Sequence, residues 1–357
     1  MGGLSETNLK LASGKGADII GGDAVDDVYS LLEKGVFEDL TPYMASSGIL
    51  EEDFFPAAFS AWKYGGKICG VNYRMDIQGM CMDKAIVGEE EIASVEDLVN
   101  CLLAYDGKAV LWGYTDATWV LRGLLENSES LCGMVDLESG TCDFSGELFG
   151  KLLETAKRYG YEDSRKDWES LAENRLYYSF YCFNDNQYLE QQGKVSTGYL
   201  FDDGGHTRIK NDVLAVNGSS PNKEGAWEFI RFMLGEEVQS SFAAGENGRG
   251  ALYSGNFPVS RSIFNKLCES CLENFNKDNK LLYSDNGREI MINELTGERK
   301  KELRTALEEA RSAPLRTEPL LQIILEEAEA YFSGAKSIDE VRDIVENRVG
   351  LYLKERQ

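Results

Sequence analysis

The sequence predicts an α/β protein built as two lobes, and three observations carry that prediction. The chain has 357 residues, which is more than one ordinary domain needs. Short apolar runs that suit buried strands alternate with longer stretches whose apolar residues recur every three or four positions. Turns rich in small and polar residues follow several of these strands, at the sheet edge where open α/β proteins bind ligands.

The clearest αβ unit runs from residue 212 to 239. Residues 213–216 form an apolar strand, and turn residues follow at 217–221. Apolar residues at helical spacing then predict a helix that ends at Gly235, and two glutamates favour the start of a second helix. Aromatic residues on helical stripes are predicted to be core; they are Trp62, Trp227 and Phe229.

The remaining elements follow from the same periodicities in chain order. Strands are predicted at 17–20, 67–71, 79–83, 109–112, 176–182 and 195–200. Helices are predicted at 4–12, 25–34, 53–64, 89–105, 117–126, 144–159, 168–174, 183–192, 259–274, 303–310, 320–332 and 338–356. Ser337 with Glu340 forms a capping-box pattern at the start of the last helix.

Composition and charge narrow the classes of partner. Sixty-one acidic against 37 basic side chains give a net charge of −24, which repels nucleic acids and anionic membrane surfaces. The charge leaves neutral and cationic solutes as candidate ligands. No apolar run is long enough to span a bilayer, and the first 16 residues lack the basic and apolar regions of a secretion signal. Taken alone, the N-terminus therefore indicates a cytoplasmic protein.

The sequence motifs give little support for an enzyme or for a metal site. The eight cysteines include a single CxxC, at 268–271, and His206 is the only histidine, so neither a metal site nor a cofactor is predicted. No nucleophile elbow and no phosphate-binding glycine loop occur. Paired carboxylates such as Asp26-Asp27 and Asp202-Asp203 are typical of solvent-exposed surfaces, but they do not exclude a glycosidase, which needs two carboxylates across its substrate.

Aromatic residues near predicted strand ends point to a sugar site. Aromatic rings stack on the apolar faces of sugars while Asp, Asn and Arg bind the hydroxyl groups, so a cleft of both types suits a neutral oligosaccharide. Packing in the core or at a crossover is the competing interpretation for each residue taken singly. These aromatic residues are Tyr73, Tyr114, Trp119, Tyr181 and Phe183.

Four segments of the chain carry a family resemblance; they are 14–43 (GKGADII and KGVFEDLTPY), 62–84 (WKYGGKICGVNYRMDIQGMCMDK), 219–239 (SSPNKEGAWEFIRFMLGEEVQ) and 331–353 (YFSGAKSIDEVRDIVENRVGLYL). They resemble the extracellular solute-binding proteins of ABC importers, in the group that includes maltose-binding protein. In that family a signal peptide, a first strand and helix, and a second strand precede the segment that resembles residues 4–20. The chain is therefore expected to be N-terminally truncated, and the resemblance implies an extracellular lipoprotein or a periplasmic protein.

The resemblance implies a two-lobed, type II periplasmic-binding-protein fold. Lobe 1 would contain residues 1–75 and 209–314, and lobe 2 residues 76–208 and 315–357. Three crossover segments, near 72–76, 208–210 and 314–316, would act as hinges. The implied function is capture of a carbohydrate between the lobes, and an oligosaccharide is the expected carbohydrate. Hinge closure and delivery to the permease subunits of the importer would follow. A monomer without catalytic activity and without a nucleic-acid partner is expected.

Carried over residue by residue, the resemblance also implies a site. The turn at Gly22-Asp23 is similar to a first-lobe contact, and Asp76 is similar to an acidic sugar-binding position. Leu321 falls near a position that holds a stacking tryptophan in maltose-binding protein, and this departure puts maltose itself in doubt. Two alternatives stay open: a carbohydrate hydrolase that uses Asp76 or Asp185, and a remnant that binds no ligand. The predicted ligand-binding residues are Asp23, Tyr73, Arg74, Asp76, Tyr114, Thr115, Asp116, Tyr181, Phe183, Asn184 and Asp185.

Overall fold

The computed structural model divides the chain into two compact units. The first unit contains Met1–Gln78, Phe180–Tyr188 and Thr207–Ala313, and the second contains Gly79–Ser179, Leu189–His206 and Pro314–Gln357. The lobe boundaries expected from the sequence stay a prediction. The structure describes residues 6–25, 27–84, 88, 92, 94–106, 110–111, 116–126, 128, 130–160, 175–180, 195–198, 208–244, 256–267, 269, 282–285, 288–291, 297–312 and 315–356.

Helices and strands are interspersed along the described residues. The helices are Glu6–Ala12 (α1), Val28–Glu33 (α2), Thr41–Ser47 (α3), Ala57–Ser60 (α4), Val95–Ala104 (α5), Ala117–Leu125 (α6), Glu147–Tyr159 (α7), Lys223–Leu234 (α8), Glu236–Ala244 (α9), Gly297–Glu309 (α10), Glu318–Phe332 (α11) and Ile338–Lys354 (α12). The strands are Ile19–Gly21 (β1), Lys63–Tyr64 (β2), Lys67–Ile68 (β3), Val71–Asp83 (β4), Val110–Leu111 (β5), Val135–Asp136 (β6), Thr141–Cys142 (β7), Arg175–Phe180 (β8), Val195–Gly198 (β9), Arg208–Val216 (β10), Asn256–Pro258 (β11), Leu282–Asp285 (β12), Arg288–Met291 (β13) and Arg311–Ser312 (β14).

In the first unit, β10 and β4 form the centre of the sheet. β10 pairs antiparallel with both β1 and β4. β11 pairs antiparallel with β4 at Arg74 to Asp76, and β14 adds a short parallel pairing to the start of β10. The sheet therefore brings together segments from the beginning, the middle and the later part of the chain.

Helices cover this sheet with a large apolar core. Its members come from α3, α4, α8, α10 and a helical segment at 261–267. Trp62 and Trp227 are buried, as predicted, although Trp62 lies in the turn after α4 and not on a helix. Phe229 is 45% exposed, so its assignment to the core was wrong. At 100° per residue, Phe229 lies away from the stripe that Ala226 and Ile230 bury.

The second unit is built on packed helices. Its core draws side chains mainly from α5, α6, α7, α11 and α12. The end of β4 pairs antiparallel with β9, from Met80 with Gly198 to Asp83 with Val195. β5 pairs parallel with β8, and β6 forms a hairpin with β7.

The helix predicted at 53–64 is the clearest local error. The chain makes a single helical turn at Glu51–Asp53, then α4, and then the β2–β3 hairpin. Phe54 pairs with Ser260, and the Phe55 N–H donates to the carbonyl of Val259, so the backbone of this segment bonds to a distant segment rather than to its own next turn. Gly65 and Gly66 adopt positive φ angles in the hairpin turn, which favours glycine at both positions.

The starts of three helices differ in how they are capped. Ser337 and Glu340 make both hydrogen bonds of the capping box at the start of α12. The hydroxyl of Ser94 accepts a hydrogen bond from the N–H of Asp97 at the start of α5. Asn222 precedes α8, but its side chain makes no capping hydrogen bond.

Candidate functional site

A bulge in β4 places Tyr73 and Arg74 opposite a single residue of β10. Between two consecutive pairs of the β4–β10 ladder, β4 has two residues, Tyr73 and Arg74, whereas β10 has only one, Asp212. Bulges interrupt the regular pairing and redirect side chains, and they are enriched beside functional sites. The ladder pairs on either side of the bulge are Asn211 with Met75 and Val213 with Asn72.

The side chains of Tyr73 and Arg74 contact each other at the bulge. Consecutive residues of a regular strand point to opposite faces. Here the guanidinium carbon of Arg74 lies 5.8 Å from the centre of the Tyr73 ring. The Nε of Arg74 lies 2.7 Å from Oδ2 of Asp212, and both side chains are partly buried. A cation, a carboxylate and an aromatic ring therefore share one patch of the first unit.

Tyr73 is held partly inside this patch. Its ring centre lies 6.0 Å from that of Phe242 in α9. Burial raises the pKa of the Tyr73 phenol, the carboxylates of Asp212 and Asp23 raise it further, and Arg74 opposes them. The phenol is therefore a neutral hydrogen-bond donor and acceptor at neutral pH. A Cβ atom added at Gly22, the residue before Asp23, would lie 3.6 Å from the backbone nitrogen of Val213, which follows Asp212.

Asp23 lies on the turn that follows β1. The strand ends at Gly21, opposite Leu214 of β10, and a single helical turn covers Gly22–Ala24. Asp23 itself is exposed. A Cβ atom added at Gly22 would lie 3.5 Å from the Trp62 ring and 3.4 Å from Cβ of Val213, so the turn packs directly on the core. The turn thus holds Asp23 beside the sheet while its side chain remains exposed.

Asp76 follows the bulge on β4. Its backbone is paired on both sides, with Lys210 of β10 and Asn256 of β11. Its side chain lies outside the described part of the structure. Three of the predicted residues, Asp23, Tyr73 and Arg74, therefore lie in the first unit with described side chains. The backbone of a fourth, Asp76, is paired in the same sheet.

Asp116 is the one predicted second-unit residue that the structure describes. It is the N-cap of α6, where its carboxylate accepts a hydrogen bond from the N–H of Trp119 at 3.0 Å. Asp116 is exposed, and Trp119 is 59% exposed. The capping contact explains the aspartate structurally. The remaining predicted residues lie outside the described residues; they are Tyr114, Thr115, Tyr181, Phe183, Asn184 and Asp185.

Three residues of the first-unit patch were missed by the sequence prediction. Asp212 was treated only as the start of a strand, although a carboxylate beside an apolar run was a usable signal. Phe242 and Gln239 lie on α9, and Gln239 donates a hydrogen bond to the carbonyl of Tyr73. Nothing in the local sequence indicated that these helical residues reach β4.

The described residues also bear on membrane insertion and metal binding. In the part of the chain that the structure describes, no helix is both long and apolar enough to cross a membrane. Among those same residues, no group of three or more His, Cys, Asp or Glu side chains is arranged to hold a metal ion.

Solved structures similar to the chain are sugar-binding and solute-binding proteins. The sugar-binding protein MalE of Xanthomonas citri is 16% identical, with a TM-score of 0.57 over 98% of this chain and 87% of that one. The cyclic α-maltosyl-1,6-maltose binding protein of Arthrobacter globiformis gives the same four values. A Streptococcus pneumoniae solute-binding protein in complex with the blood group A-trisaccharide is 16% identical, with a TM-score of 0.57 over 96% of this chain and 87% of that one. These likenesses confirm the predicted α/β periplasmic-binding-protein fold.

The sequence comparisons identify the family. No curated protein sequence matches the chain. The family model for bacterial extracellular solute-binding proteins matches residues 4–254, which is more than half of the chain. The resemblance noted in the sequence is thereby confirmed: the chain belongs to the family of bacterial extracellular solute-binding proteins.

Proposed function

We propose that the protein captures a carbohydrate and delivers it to the permease of an ABC importer. An oligosaccharide is the expected form of that carbohydrate. The observation that carries the proposal is the patch formed by Tyr73, Arg74 and Asp212 at the bulge of β4. Membership of the solute-binding family supports capture. Sugars named for the similar structures support the choice of solute class.

The chemistry of the patch suits a polyhydroxylated ring. The face of Tyr73 offers apolar surface for the C–H groups of a sugar. Arg74 supplies N–H donors, while Asp23 and Asp212 supply acceptors for hydroxyl groups. Charged partners make shorter and stronger hydrogen bonds than neutral ones. Because Asp212 already orients Arg74, less side-chain freedom is lost when a solute binds.

The proposal extends to the setting in which capture occurs. The protein acts outside the cytoplasm, in the periplasm or as an anchored lipoprotein, and it acts as a monomer. It binds its solute without chemical conversion. Solute binding shifts the two lobes towards a closed form that the permease recognises, because the solute contacts the closed form better than the open one. Asp76, Asp116 and the six predicted residues outside the described part complete the proposed set of solute contacts.

A binding screen tests the proposal. The panel contains maltose, the cyclic maltosyl-maltose and the blood group A-trisaccharide, with spermidine and a tripeptide as solutes of other classes. A solute at about one hundred times its Kd raises the free energy of unfolding by about 2.7 kcal/mol, which a thermal scan detects. We expect one of the sugars to raise the melting temperature in a saturable manner, with unchanged sugar recovered by chromatography.

Substitution at the patch provides the control. Tyr73→Ala is expected to weaken sugar binding at least about tenfold, since it removes the stacking face. Tyr43→Ala, which removes a tyrosine that packs on Trp227, is the matched change and is expected to leave affinity unchanged. A response to spermidine or the tripeptide alone would refute the carbohydrate assignment. Release of shorter sugars would instead favour the hydrolase, and no response to any solute would favour the remnant.

A further inference from the structure

The buried side-chain amide of Gln239 joins three segments of the first unit. Gln239 is fully buried in α9. Its Nε2 donates to the carbonyl oxygens of Tyr73 and Met233, both at 2.8 Å. Its Oε1 accepts from the N–H of Val259 at 2.8 Å and, more weakly, from that of Ser260 at 3.4 Å. These four contacts, here called the amide clamp, use both N–H donors of the side-chain amide and both lone pairs of its oxygen.

The carbonyl of Tyr73 lies where β4 is short of regular ladder partners. The bulge leaves an extra residue that the pairing with β10 does not accommodate. On the other side of β4, the register with β11 would bring Val259 opposite Tyr73, but the N–H of Val259 donates to Oε1 of Gln239. Gln239 supplies a donor to the backbone at this place. A buried carbonyl without such a donor would cost a desolvation penalty.

We propose that Gln239 is a positioning residue of the solute site: through the carbonyl of Tyr73 it sets the direction in which Tyr73 and Arg74 project. The inference rests on the proposed function, in which these two side chains contact the solute. Gln239 is fully buried, so its effect is indirect. A bulge redirects the side chains that it carries, and a hydrogen bond that holds the bulged backbone preorganises those side chains.

Two substitutions and one control separate positioning from general stability. Gln239→Met has a similar length and removes both donors and the acceptor. Gln239→Glu keeps an oxygen for Val259 but, when ionised, has no donor for the carbonyl of Tyr73. Ile230→Val is the control, because it trims a buried core side chain of the same unit and leaves the amide clamp intact. All three proteins are studied as full chains.

The first readout needs no solute. Fluorotyrosine is incorporated throughout, and the fluorine NMR signal of Tyr73 is assigned with Tyr73→Phe. In Gln239→Met we expect this signal to move and the phenol to ionise at lower pH, because burial is the main reason that the Tyr73 pKa is raised. Ile230→Val should leave the signal in place. A Tyr73 signal unchanged in both Gln239 variants would overturn the proposal.

The second readout is affinity for the three sugars of the panel, measured by titration calorimetry. Gln239→Met is expected to weaken binding of the responding sugar about tenfold, while Ile230→Val binds like the unmodified protein. Unchanged affinity in Gln239→Met would overturn the positioning role even if the Tyr73 signal moved. If Gln239→Met fails to fold, Gln239→Glu at a pH where the carboxylate is ionised takes its place in both readouts.

The two hypotheses fail in different ways. If the unmodified protein binds none of the three sugars, the proposed function fails, and the fluorine signal alone then decides whether Gln239 positions Tyr73. If the protein binds a sugar and neither Gln239 variant changes the affinity, the proposed function stands and the positioning role is rejected.

Discussion

The Nε of Arg74 lies 2.7 Å from Oδ2 of Asp212, although 138 positions separate the two residues in the sequence. Their strands, β4 and β10, are paired at the centre of the first-unit sheet. The ion pair lies at the bulge, so it both orients Arg74 and helps hold the irregular pairing. This contact links the stability of the strand pair to the geometry of the proposed solute site.

Asp212→Asn is expected to lower the free energy of unfolding by about 1 kcal/mol, because the pair is only partly buried and solvent screens it. The effect on sugar affinity should be larger than the effect on stability, since Arg74 loses its orientation. Urea unfolding and calorimetric titration measure the two. As a matched change, Glu228→Gln breaks the exposed Arg231–Glu228 pair and should alter stability by less than about 0.5 kcal/mol. Equal effects of the two substitutions would argue against a special role for Asp212.

Glu126 predicts a pH dependence in the second unit. Arg122 is shared by two carboxylates, with Nε 3.2 Å from Glu126 and Nη2 2.8 Å from Glu318. Burial raises the pKa of Glu126 above its ordinary value of 4.5, and Arg122 offsets this in part. A raised folded pKa means that the folded state binds the proton more tightly, so this contribution to stability is present below pH 4.5 and is lost as the pH rises through the folded pKa.

Glu126→Gln should therefore flatten the part of the stability profile that lies just above pH 4.5. Urea unfolding of the substituted and unmodified proteins at closely spaced pH values measures it. Glu355→Gln, at the exposed end of α12, removes the same charge and is expected to leave that part of the profile unchanged. A profile unaltered by Glu126→Gln would contradict the assignment.

Gly70 has no room for a side chain. A Cβ atom there would lie 2.6 Å from Cγ1 of Val213 and 3.0 Å from the Trp62 ring. Val213 is β-branched and stiff, and Trp62 is buried, so Gly70→Ala is expected to cost about 1–3 kcal/mol of unfolding free energy by overpacking. Val213→Ala in the same chain should recover part of the loss. Denaturant unfolding measures both.

The control for Gly70 is Gly297, the first residue of α10, where an added Cβ meets nothing within 4 Å. Gly297→Ala should be neutral or slightly stabilising, because alanine is the better helix former. Similar losses at the two glycines would show that the close approach at Gly70 is not the cause.

Ser337 begins α12 with a full capping box. Its hydroxyl accepts from the N–H of Glu340, and the Glu340 carboxylate accepts from the N–H of Ser337 at 2.8 Å. Ser337→Ala is expected to lower the free energy of unfolding by about 1 kcal/mol, while Ser337→Thr retains most of the cap. Thermal and urea unfolding measure the difference. Equal stability of the alanine and threonine variants would mean that the cap contributes nothing.

Local features of the fold were predicted well because their causes lie within a few residues. The capping box at Ser337 and the buried stripe with Trp227 depend only on short spacings along one helix. The helix predicted at 53–64 failed for the opposite reason. Phe54 and Phe55 pair with residues 259–260, about two hundred positions away, and that pairing outweighs helical periodicity.

For the candidate site, the sequence singled out Tyr73, Arg74 and Asp23, because aromatic and charged residues occurred at expected strand ends and matched a family pattern. It did not indicate that the side chains of Tyr73 and Arg74 contact each other, since alternation along a strand places neighbours on opposite faces. The bulge that overrides the alternation is a property of the pairing with β10.

The sequence by itself determined the family, the α/β class and the ends of several helices, all of which depend on residue identity and short-range periodicity. Only the tertiary structure decided that Asp212 orients Arg74 and that Gln239 holds the carbonyl of Tyr73. The physical reason is that both contacts join segments more than one hundred positions apart, and their geometry depends on strand register and side-chain packing that no local pattern specifies.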